Sequence, residues 1–254
     1  MDLGTECWAR NGEMKNIISL KVPGKSKTCA VQLFQMNNLQ LGNMDLEPFD
    51  IITCDGPYGI WPEYGWPDSD WDNFDLNVSQ GREEFKEYYR KLFTASLKYL
   101  KDTGSLFVFN YPEGANLINI VLYEFPVHFR RWISWIYDNH FDFDRGTNFA
   151  RSHETILYYT KNASNFIFHD HIVKDCFFHP LIKIESNQFN EGAKPLKVVE
   201  FLLDVTNHPG GRLLSLFAGT GTDLIAASKY DMDSVGFEFN ADNFQQLVGN
   251  LAKK

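Results

Sequence analysis

The sequence lacks the features that mark a secreted, membrane-spanning or metal-binding protein. It contains only four cysteines in 254 residues, and none forms a CxxC pair or a Cys/His cluster with zinc spacing. No apolar run reaches the roughly 18 residues that a membrane helix needs. The first residues, MDLGTECWARNGEMK, also lack the charged-then-apolar order of a secretory signal. We therefore expect a soluble cytoplasmic protein with free thiols, no membrane contact and no bound metal.

Positive charge is also scarce. The 24 Lys and Arg residues are outnumbered by 33 Asp and Glu residues, which gives a formal net charge of -9 at pH 7. A protein that binds nucleic acid mainly by neutralising phosphates needs a basic surface. If this chain has a nucleic-acid partner, a local group of cations on an acidic body must hold it.

Seven short runs have the composition of buried β-strands. They are rich in Val, Ile, Phe and Tyr, and several lack the polar alternation of a half-exposed strand. Helical spacing of apolar residues occurs between some of them, over Glu83 to Lys101 and again from Pro195. This alternation predicts an α/β fold with a mostly parallel sheet. The seven runs lie near residues 29, 49, 104, 132, 154, 212 and 234.

Two segments fall outside this alternation. The first 28 residues show little periodicity and include the basic stretch KVPGKSK, which predicts a flexible N-terminal arm. Residues 162–193 interrupt the pattern and resemble an insertion on the sheet. We therefore predict an arm at 1–28 and one domain at 29–254, with a short insertion at about 162–193.

A glycine loop follows the run near residue 212. An apolar strand from Leu213 leads into a tight loop at 217–221, FAGTG, and a helical pattern begins at Thr222. Glycines at such a turn let backbone amides approach a ligand, although a GxG pair alone also fits a plain turn. Glu238 ends the next strand, where doubly wound folds bind the hydroxyls of an adenosine ribose. Without a third glycine, the loop suits a nucleoside such as S-adenosylmethionine better than a dinucleotide.

A second candidate site follows the strand-like run IITC. That strand delivers Asp55 to the sheet edge where open parallel sheets bind ligands, and Pro57 stiffens the loop that displays Tyr58. A carboxylate and a neighbouring backbone carbonyl can accept hydrogen bonds from an amino group, and a tyrosine ring can stack on a planar base. The same residue types also form ordinary tight turns. A turn and a site for the exocyclic amine of a nucleobase therefore both fit this stretch.

The order of these motifs resembles that of the beta class of DNA amino-methyltransferases. In that class a DPPY-type catalytic motif precedes an FxGxGT loop for S-adenosylmethionine, and CDGPYGI and FAGTGT stand at the two positions here. The likeness covers roughly residues 29–254. Three further stretches resemble the family in the expected order: ARSHETILYYTK, AKPLKVVEFLLDVTNHPGG and VGFEFNADNFQQL.

The resemblance implies a Rossmann-like methyltransferase fold with permuted motif order, in which helices cover both faces of a mostly parallel seven-stranded sheet. It also implies methyl transfer from S-adenosylmethionine to the N6 amine of a flipped adenine in DNA. In that role Asp55 and the carbonyl of Gly56 accept hydrogen bonds from the amine. Tyr58, displayed by the loop that Pro57 stiffens, stacks on the base.

The family pattern further implies two sets of binding residues. Basic side chains are candidates for the DNA face: Arg130, Arg131, Arg145 and Arg151. The cofactor set comprises the glycine loop, Glu238 on the ribose, Lys194 and Pro195 beside the methionine part, and Asn37 at a position where many relatives carry Asp. The loop members are Phe217, Ala218, Gly219, Thr220, Gly221 and Thr222.

The chain also departs from the family pattern. Gly56 replaces the usual first proline, which predicts a looser loop and slower catalysis, and Ser215 and Leu216 replace an Asp-Pro pair. The short insertion predicts either reliance on a partner, as in a homodimer or with a partner subunit, or recognition of a short site. Methylation of cytosine at N4 is the nearest rival to methylation of adenine. A catalytically weak nucleic-acid-binding subunit of a methyltransferase complex and an enzyme acting on RNA also fit the motifs.

Overall fold

In the computed structural model, ten strands form one sheet. The structure describes residues 4–10, 13–59, 74–138, 149–169, 172–181 and 193–253. The strands in chain order are β1 (Gly4–Arg10), β2 (Glu13–Pro23), β3 (Thr28–Gln35), β4 (Phe49–Cys54), β5 (Leu100–Asn110), β6 (His128–Ile136), β7 (His153–Thr160), β8 (Cys176–Phe178), β9 (Arg212–Ser215) and β10 (Asp233–Glu238).

The strand order places five parallel strands at the centre of the sheet. Across the sheet the order is β1-β2-β3-β10-β9-β4-β5-β7-β6-β8. The pairs β3–β10, β10–β9, β9–β4 and β4–β5 are parallel, as is β6–β8. The pairs β1–β2, β2–β3, β5–β7 and β7–β6 are antiparallel. The described chain therefore forms a mixed sheet.

The predicted α/β fold is confirmed, but the sheet has ten strands in place of seven and is mixed, with parallel strands at its centre. All seven apolar runs are strands, namely β3 to β7, β9 and β10, and the sheet gains β1, β2 and β8. An apolar run indicates burial on both faces, whereas the connections decide whether a neighbour is parallel. The turn at 24–27, for example, is too short for a crossover, and β2 and β3 pair antiparallel.

Helices cover both faces of the sheet. The helices are α1 (Ser79–Ser96), α2 (Pro112–Leu122), α3 (Leu196–Thr206), α4 (Thr222–Lys229) and α5 (Ala241–Ala252), with 3-10 turns at Asn38–Asn43 and Leu97–Tyr99. α1 and α2 pack into one hydrophobic cluster, and α3, α4 and α5 pack into another. Adjacent residues of β4 contribute to opposite clusters, Ile52 to the first and Ile51 to the second. β4 is thus buried on both faces, as its composition predicts.

The segment predicted as a flexible arm contains two strands of the sheet. β2 pairs with β3 along most of its length, from Asn16 opposite Gln35 to Pro23 opposite Thr28. Leu20 and Val22 are buried in the same cluster as α3 to α5, while Lys21 between them is exposed. This alternation of period two is the sequence signal for a half-buried strand. The basic residues of the neighbouring turn led to the prediction of an arm in place of this strand.

The described part of the predicted insertion packs against the sheet. β8 pairs with β6, and the His169 amide donates to the Val205 carbonyl at 2.8 Å. Residues 170–171 and 182–192 of this segment lie outside the described residues. In the described ranges, no helix is long and apolar enough to cross a membrane, and no three His, Cys, Asp or Glu side chains cluster as metal ligands would.

A paired comparison of two substitutions tests the pairing of β2. Leu20→Ala removes a buried side chain from the core and is expected to lower the free energy of unfolding by about 2–5 kcal/mol. Lys21→Ala changes an exposed neighbour and is expected to alter it by less than about 0.5 kcal/mol. Urea denaturation of both variants measures the difference. Equal, small effects would mean that the segment is an arm in solution.

Candidate active site

Two loops leave the sheet side by side at the carboxyl ends of β4 and β9. These strands are parallel neighbours, with Thr53 opposite Ser215, and the Leu216 amide donates to the Thr53 carbonyl at 3.0 Å. The first loop carries Asp55 to Gly59, and the second is the glycine loop that starts at Phe217. Ligands bind at such an edge in open α/β sheets. The two predicted motifs therefore lie in one place.

The loop after β4 is held by hydrogen bonds to a single carbonyl. The Pro57 carbonyl oxygen accepts from the Tyr89 hydroxyl of α1 at 2.8 Å and from the Asn110 side-chain amide of β5 at 3.0 Å. Tyr89 and Asn110 are both fully buried. Two neighbouring elements thus fix the loop at the residue between Gly56 and Tyr58.

Gly56 is enclosed by the side chains around it. A Cβ atom at this position would lie 2.7 Å from Cε2 of Phe217 and 2.8 Å from the Tyr89 hydroxyl oxygen. Both distances are shorter than a carbon atom can tolerate without displacing its neighbour. Glycine is therefore the residue that fits here. The packing of Phe217 on Gly56 also joins the glycine loop to the loop after β4.

Four polar side chains meet between the loop after β4 and the start of β7. The Tyr58 hydroxyl lies 2.7 Å from Oδ1 of Asp55 and 2.8 Å from Oε2 of Glu154. The Lys194 ammonium lies 3.0 Å from the same Asp55 oxygen and 3.3 Å from the same Glu154 oxygen. Glu154 and Lys194 are buried. One hydroxyl and one ammonium therefore bridge two carboxyl groups.

Burial dominates the electrostatics of this four-residue cluster. It raises the pKa of the Glu154 carboxyl, and nearby Lys194 opposes this only in part. Burial would lower the pKa of Lys194, but Asp55 and Glu154 outweigh it and raise that pKa. The pKa of Tyr58 is raised well above its ordinary value by burial and by the two carboxylates. Tyr58 is thus a neutral phenol and Lys194 a cation.

Aromatic rings line one side of the cluster. The Tyr111 ring, at the N-cap of α2, meets the Tyr58 ring edge-on at 5.0 Å between centroids. The Arg151 guanidinium lies 4.5 Å from the Tyr111 ring centroid. A cation on an aromatic face contributes roughly 0.5–2 kcal/mol. Arg151, one of the predicted DNA-face residues, is therefore beside the cluster.

The glycine loop has an open cradle formed by its backbone. Gly219 and Gly221 have φ angles of +49° and +93°, which side chains rarely allow. Among the described atoms, none lies within 4 Å of the point where a Cβ of Gly219 would be. The Ala218 amide donates to the Phe237 carbonyl at 2.7 Å, and the Asn250 side chain donates to the Thr220 carbonyl at 3.0 Å. The loop is thus anchored on one side and open on the other.

Glu238 lies against this cradle, as the sequence spacing predicts. One carboxylate oxygen accepts from the Gly219 amide at 3.0 Å and the other from the Asn240 amide at 2.8 Å. Burial raises the pKa of Glu238, and these backbone donors oppose the rise. The Phe239 backbone and the Asn243 side chain also donate to this carboxylate. Glu238 is therefore fixed beside the glycine loop.

A buried carboxylate lies beneath the glycine loop. Oδ2 of Asp223, in the first turn of α4, accepts from the Thr53 hydroxyl at 2.5 Å and from the Ser215 hydroxyl at 2.9 Å. Burial raises the pKa of Asp223 to about 6, and the two hydroxyls limit the rise. Ser215, a departure from the family pattern, thus bonds to an acid two residues after Gly221.

The remaining predicted cofactor residues take different positions. Asn37 caps the 3-10 turn at Asn38–Asn43 through the Leu39 amide, whereas Asn38 reaches the Leu216 carbonyl at 3.0 Å. Pro195 is the N-cap residue of α3. The Thr222 hydroxyl donates to the Lys194 carbonyl at 3.0 Å. Lys194 therefore contacts the glycine-loop helix by its backbone and the four-residue cluster by its side chain.

Of the three predicted DNA-face residues that the structure describes, Arg130 and Arg131 lie apart from Arg151. The Arg130 guanidinium donates to the Thr160 hydroxyl at 2.8 Å and stacks on the Phe166 ring at 3.8 Å. Arg131 lies 3.8 Å from Asp175. Both are near the start of β6, whereas Glu154 pairs with the other end of that strand, so they lie away from the cluster. Arg145 falls outside the described residues.

Glu154, Asp223 and Tyr89 are site residues that sequence reasoning missed. Glu154 begins a strand-like run and Asp223 begins a helix, where carboxylates are usually exposed. Tyr89 belongs to the apolar stripe of α1 and has the spacing of a core residue. The one signal in the sequence was the position of Glu154 in the family-like stretch ARSHETILYYTK.

The comparisons with known proteins identify the family of this chain. Residues 49–248 match the DNA methylase family of the N6/N4 type, and the chain therefore belongs to that family. The type II methyltransferase M.HpaI of Haemophilus parainfluenzae is 23% identical over 236 residues, which are 83% of this chain and 70% of that protein. The type II methyltransferase M1.MboII of Moraxella bovis is 24% identical over 257 residues, which are 85% of this chain and 94% of that protein.

Solved structures share the fold. The M1.HpyAVI–SAM complex superposes with a TM-score of 0.61 at 17% identity and covers 87% of this chain and 99% of its own. The PvuII DNA methyltransferase, described as cytosine-N4-specific, gives a TM-score of 0.70 at 12% identity, with 91% and 89% covered. The methyltransferase fold is thus shown, while the interpretation of the motif order as a permutation remains a prediction.

Adding a methyl group at Gly56 tests the enclosure of the loop after β4. Gly56→Ala is expected to lower the free energy of unfolding by about 1–3 kcal/mol, because the new Cβ overlaps Phe217 and Tyr89. In a Tyr89→Phe background the cost is smaller, since one overlapping atom is gone. Gly249→Ala in α5, where no described atom lies nearby, is the matched control and is not destabilising. A double-mutant cycle in urea measures all three, and additive costs would contradict the enclosure.

Asp223 gives the stability a defined dependence on pH. The carboxyl has a pKa of about 6 when folded and about 3.9 when unfolded, so the folded state retains the proton between these values. Stability attributable to Asp223 therefore falls as pH rises from about 4 to about 6. Asp223→Asn removes that fall, and its stability relative to wild type rises by about 3 kcal/mol across this window.

Urea denaturation between pH 4 and pH 7 checks the behaviour of Asp223. Asp242→Asn, at an exposed position in α5, serves as the control for the loss of one carboxyl group elsewhere in the chain. If Asp223→Asn kept the wild-type slope, the Asp223 carboxyl group of the wild type would not titrate between about pH 4 and pH 7.

Proposed function

We propose that this protein transfers a methyl group from S-adenosylmethionine to the exocyclic N6 amine of a flipped adenine in DNA. The observation that carries the proposal is the engagement of Asp55. Its Oδ1 faces the Tyr58 hydroxyl and the Lys194 ammonium, while its Oδ2 has no hydrogen bond to any described residue. One carboxylate oxygen is thus fixed by the protein, and the other remains for a substrate amine at the sheet edge.

The glycine loop has the properties needed to hold the cofactor. The open space at Gly219 admits a ligand against the backbone, and Glu238 is the acceptor for ribose hydroxyls. Phe217 is half-buried and packs on Gly56, so the cofactor loop and the amine site are direct neighbours. The cofactor supplies an electrophilic methyl group when bound, and the remaining chemistry belongs to the side chains.

The loop after β4 orients the amine. Asp55 Oδ2 and the Gly56 carbonyl accept the two amine protons, which draws the nitrogen lone pair out of conjugation with the ring. The Tyr58 ring stacks on the base, and each stacked base contributes about 1–3 kcal/mol against an extrusion cost of a few kcal/mol. No strong base is required before attack, because placement of the nitrogen lone pair is the main contribution of the protein. The new bond at the nitrogen would replace the bond between the methyl group and the cofactor sulfur, and Asp55 Oδ2 would accept the proton that the nitrogen loses.

Arg151 is the best-placed of the predicted contacts to DNA. It stacks on Tyr111, whose ring contacts Tyr58, so its cation lies next to the proposed base site. On a chain with a net charge of -9, phosphate binding depends on such local cations. Arg130 and Arg131 are engaged elsewhere and contribute to the loop at 160–163 and to the pairing with Asp175.

Adenine is preferred over cytosine for a motif-based reason. An Asp in the first motif position is commoner in adenine-specific members of the family resembled, and Ser is commoner in cytosine-specific ones. Cytosine N4 is the second candidate, because the PvuII enzyme, described as cytosine-N4-specific, shares this fold over 91% of the chain. A non-catalytic subunit fits less well, since Asp55, Tyr58 and the open glycine loop are all in place.

Two substitutions separate the amine site from the cofactor site. Asp55→Ala removes the amine acceptor together with its contacts to Tyr58 and Lys194, and is expected to lower methyl transfer at least about 100-fold. Binding of S-adenosylmethionine is expected to remain, because the glycine loop and Glu238 are unchanged. Glu238→Ala is expected to weaken cofactor binding by about tenfold or more, the loss of charge-assisted hydrogen bonds to the ribose. Calorimetric titration measures binding, and mass analysis of digested nucleosides measures N6-methyladenine and N4-methylcytosine.

Each outcome of this crossed design distinguishes a function. N4-methylcytosine as the product would replace adenine by cytosine as the target. No product from wild type or Asp55→Ala, with nucleic acid still bound, would identify a binding subunit instead. Cofactor binding that survives Glu238→Ala unchanged would remove Glu238 from the cofactor site. An RNA arm in the same assay reports any methylation of RNA.

A further inference from the structure

Glu154 contacts the two groups that hold Asp55, namely the Tyr58 hydroxyl and the Lys194 ammonium. Glu154 and Lys194 lie 3.3 Å apart, and Lys194 also lies 3.0 Å from the Asp55 carboxylate. Burying a carboxylate and an ammonium costs several kcal/mol per ion before their attraction is counted. Because this buried pair lies beside Asp55, it influences the charge and the orientation of the Asp55 carboxylate.

The number of protons limits how the four-residue cluster can be arranged. The Tyr58 hydroxyl has one proton, yet it lies within hydrogen-bond distance of two carboxyl oxygens. It can donate to only one of them at a time. The second contact becomes a hydrogen bond if the other carboxyl group is protonated and donates to the Tyr58 oxygen. Otherwise two lone-pair acceptors face each other at close range in a buried site.

Charge balance indicates which carboxyl group holds the proton. With both carboxylates ionised, one Lys194 cation faces two anions and the buried cluster keeps a net negative charge. With one proton added, the cluster is neutral. Glu154 is 3% exposed and begins a strand inside the sheet, whereas the Asp55 side chain is 15% exposed and keeps one oxygen free of described protein donors. The more deeply buried group is the one that burial favours in the neutral form.

We propose that Glu154 and Lys194 are positioning residues, in which protonated Glu154 donates to Tyr58, Tyr58 donates to Asp55, and Lys194 neutralises Asp55. This inference rests on the proposed function, since it assigns how the amine acceptor is oriented. The chain of donors fixes Oδ1 of Asp55 and turns Oδ2 toward the substrate. It also fixes the Tyr58 ring, whose hydroxyl is held at the far end from the loop backbone.

The arrangement gives activity a dependence on pH with a defined sign. When pH rises through the pKa of Glu154, which burial raises, this carboxyl ionises and competes with Asp55 for the Tyr58 proton and for Lys194. Turnover therefore declines on the alkaline side. Tyr111 and Tyr137 also interact electrostatically with Glu154, but their raised pKa values keep both neutral over the same range.

Two substitutions at Glu154 separate a positioning role from a purely structural one. Glu154→Ala removes the donor and is expected to lower kcat about 10- to 100-fold, with unchanged binding of S-adenosylmethionine. Glu154→Gln keeps an N–H donor for Tyr58 and cannot ionise, so it recovers most of that loss and lacks the alkaline decline. Thermal unfolding of both variants reports any loss of folding. Equal losses of kcat in the two variants, with the wild-type pH profile retained, would overturn the proposal.

A second measurement tests the proton without methyl transfer. The infrared difference spectrum between wild type and Glu154→Gln, recorded below the pH of the alkaline decline, is expected to contain the carbonyl band of a protonated carboxylic acid. Only carboxylate bands in that spectrum would overturn the proton assignment, whether or not the protein methylates DNA. The acid band in a protein that lacks methyltransferase activity would overturn the proposed function and leave the proton assignment standing.

Discussion

The rest of the site depends on the contacts of the buried Lys194 ammonium with two carboxyl groups. Its side chain contacts Asp55 after β4 and Glu154 at the start of β7, while its backbone carbonyl accepts from Thr222 at the start of α4. A buried cation is tolerated only with opposite charge and hydrogen bonds around it. The Asp55 carboxylate needs the cation for the same reason. Three distant segments of the chain therefore hold one another in place.

The central parallel strands determine where that interaction can form. β4 and β9 are neighbours, and parallel strands deliver their following loops to the same edge. The glycine loop and the loop after β4 then touch through Phe217 and Gly56, although these two residues are far apart in the sequence. β5 and α1 complete the site by donating from Asn110 and Tyr89 to the Pro57 carbonyl. The loop after β4 is therefore made rigid by hydrogen bonds from α1 and β5.

Sequence patterns predict local features of this fold better than pairings between distant segments. The seven apolar runs, the glycine loop and its approach to Glu238 follow from composition and spacing within a strand-loop-helix unit. The antiparallel outer strands and the four-residue cluster do not, because each depends on which segments meet. In the sequence, Glu154 has the surroundings of an ordinary residue at a strand end. Its contacts with Lys194 and Tyr58 become visible only in the folded structure.

Gly56 shows how the chain departs from a family pattern without opening its site. A proline at this position would restrict the backbone, but its ring carbons would occupy the space of the Phe217 ring and the Tyr89 hydroxyl. Glycine leaves that space to the two aromatic side chains, and the Tyr89 hydroxyl in turn binds the next carbonyl in the loop. The conformational freedom of glycine is thus limited by tertiary hydrogen bonds instead of by a ring. In this protein, the geometry of the loop is a property of the packed core and not of the motif alone.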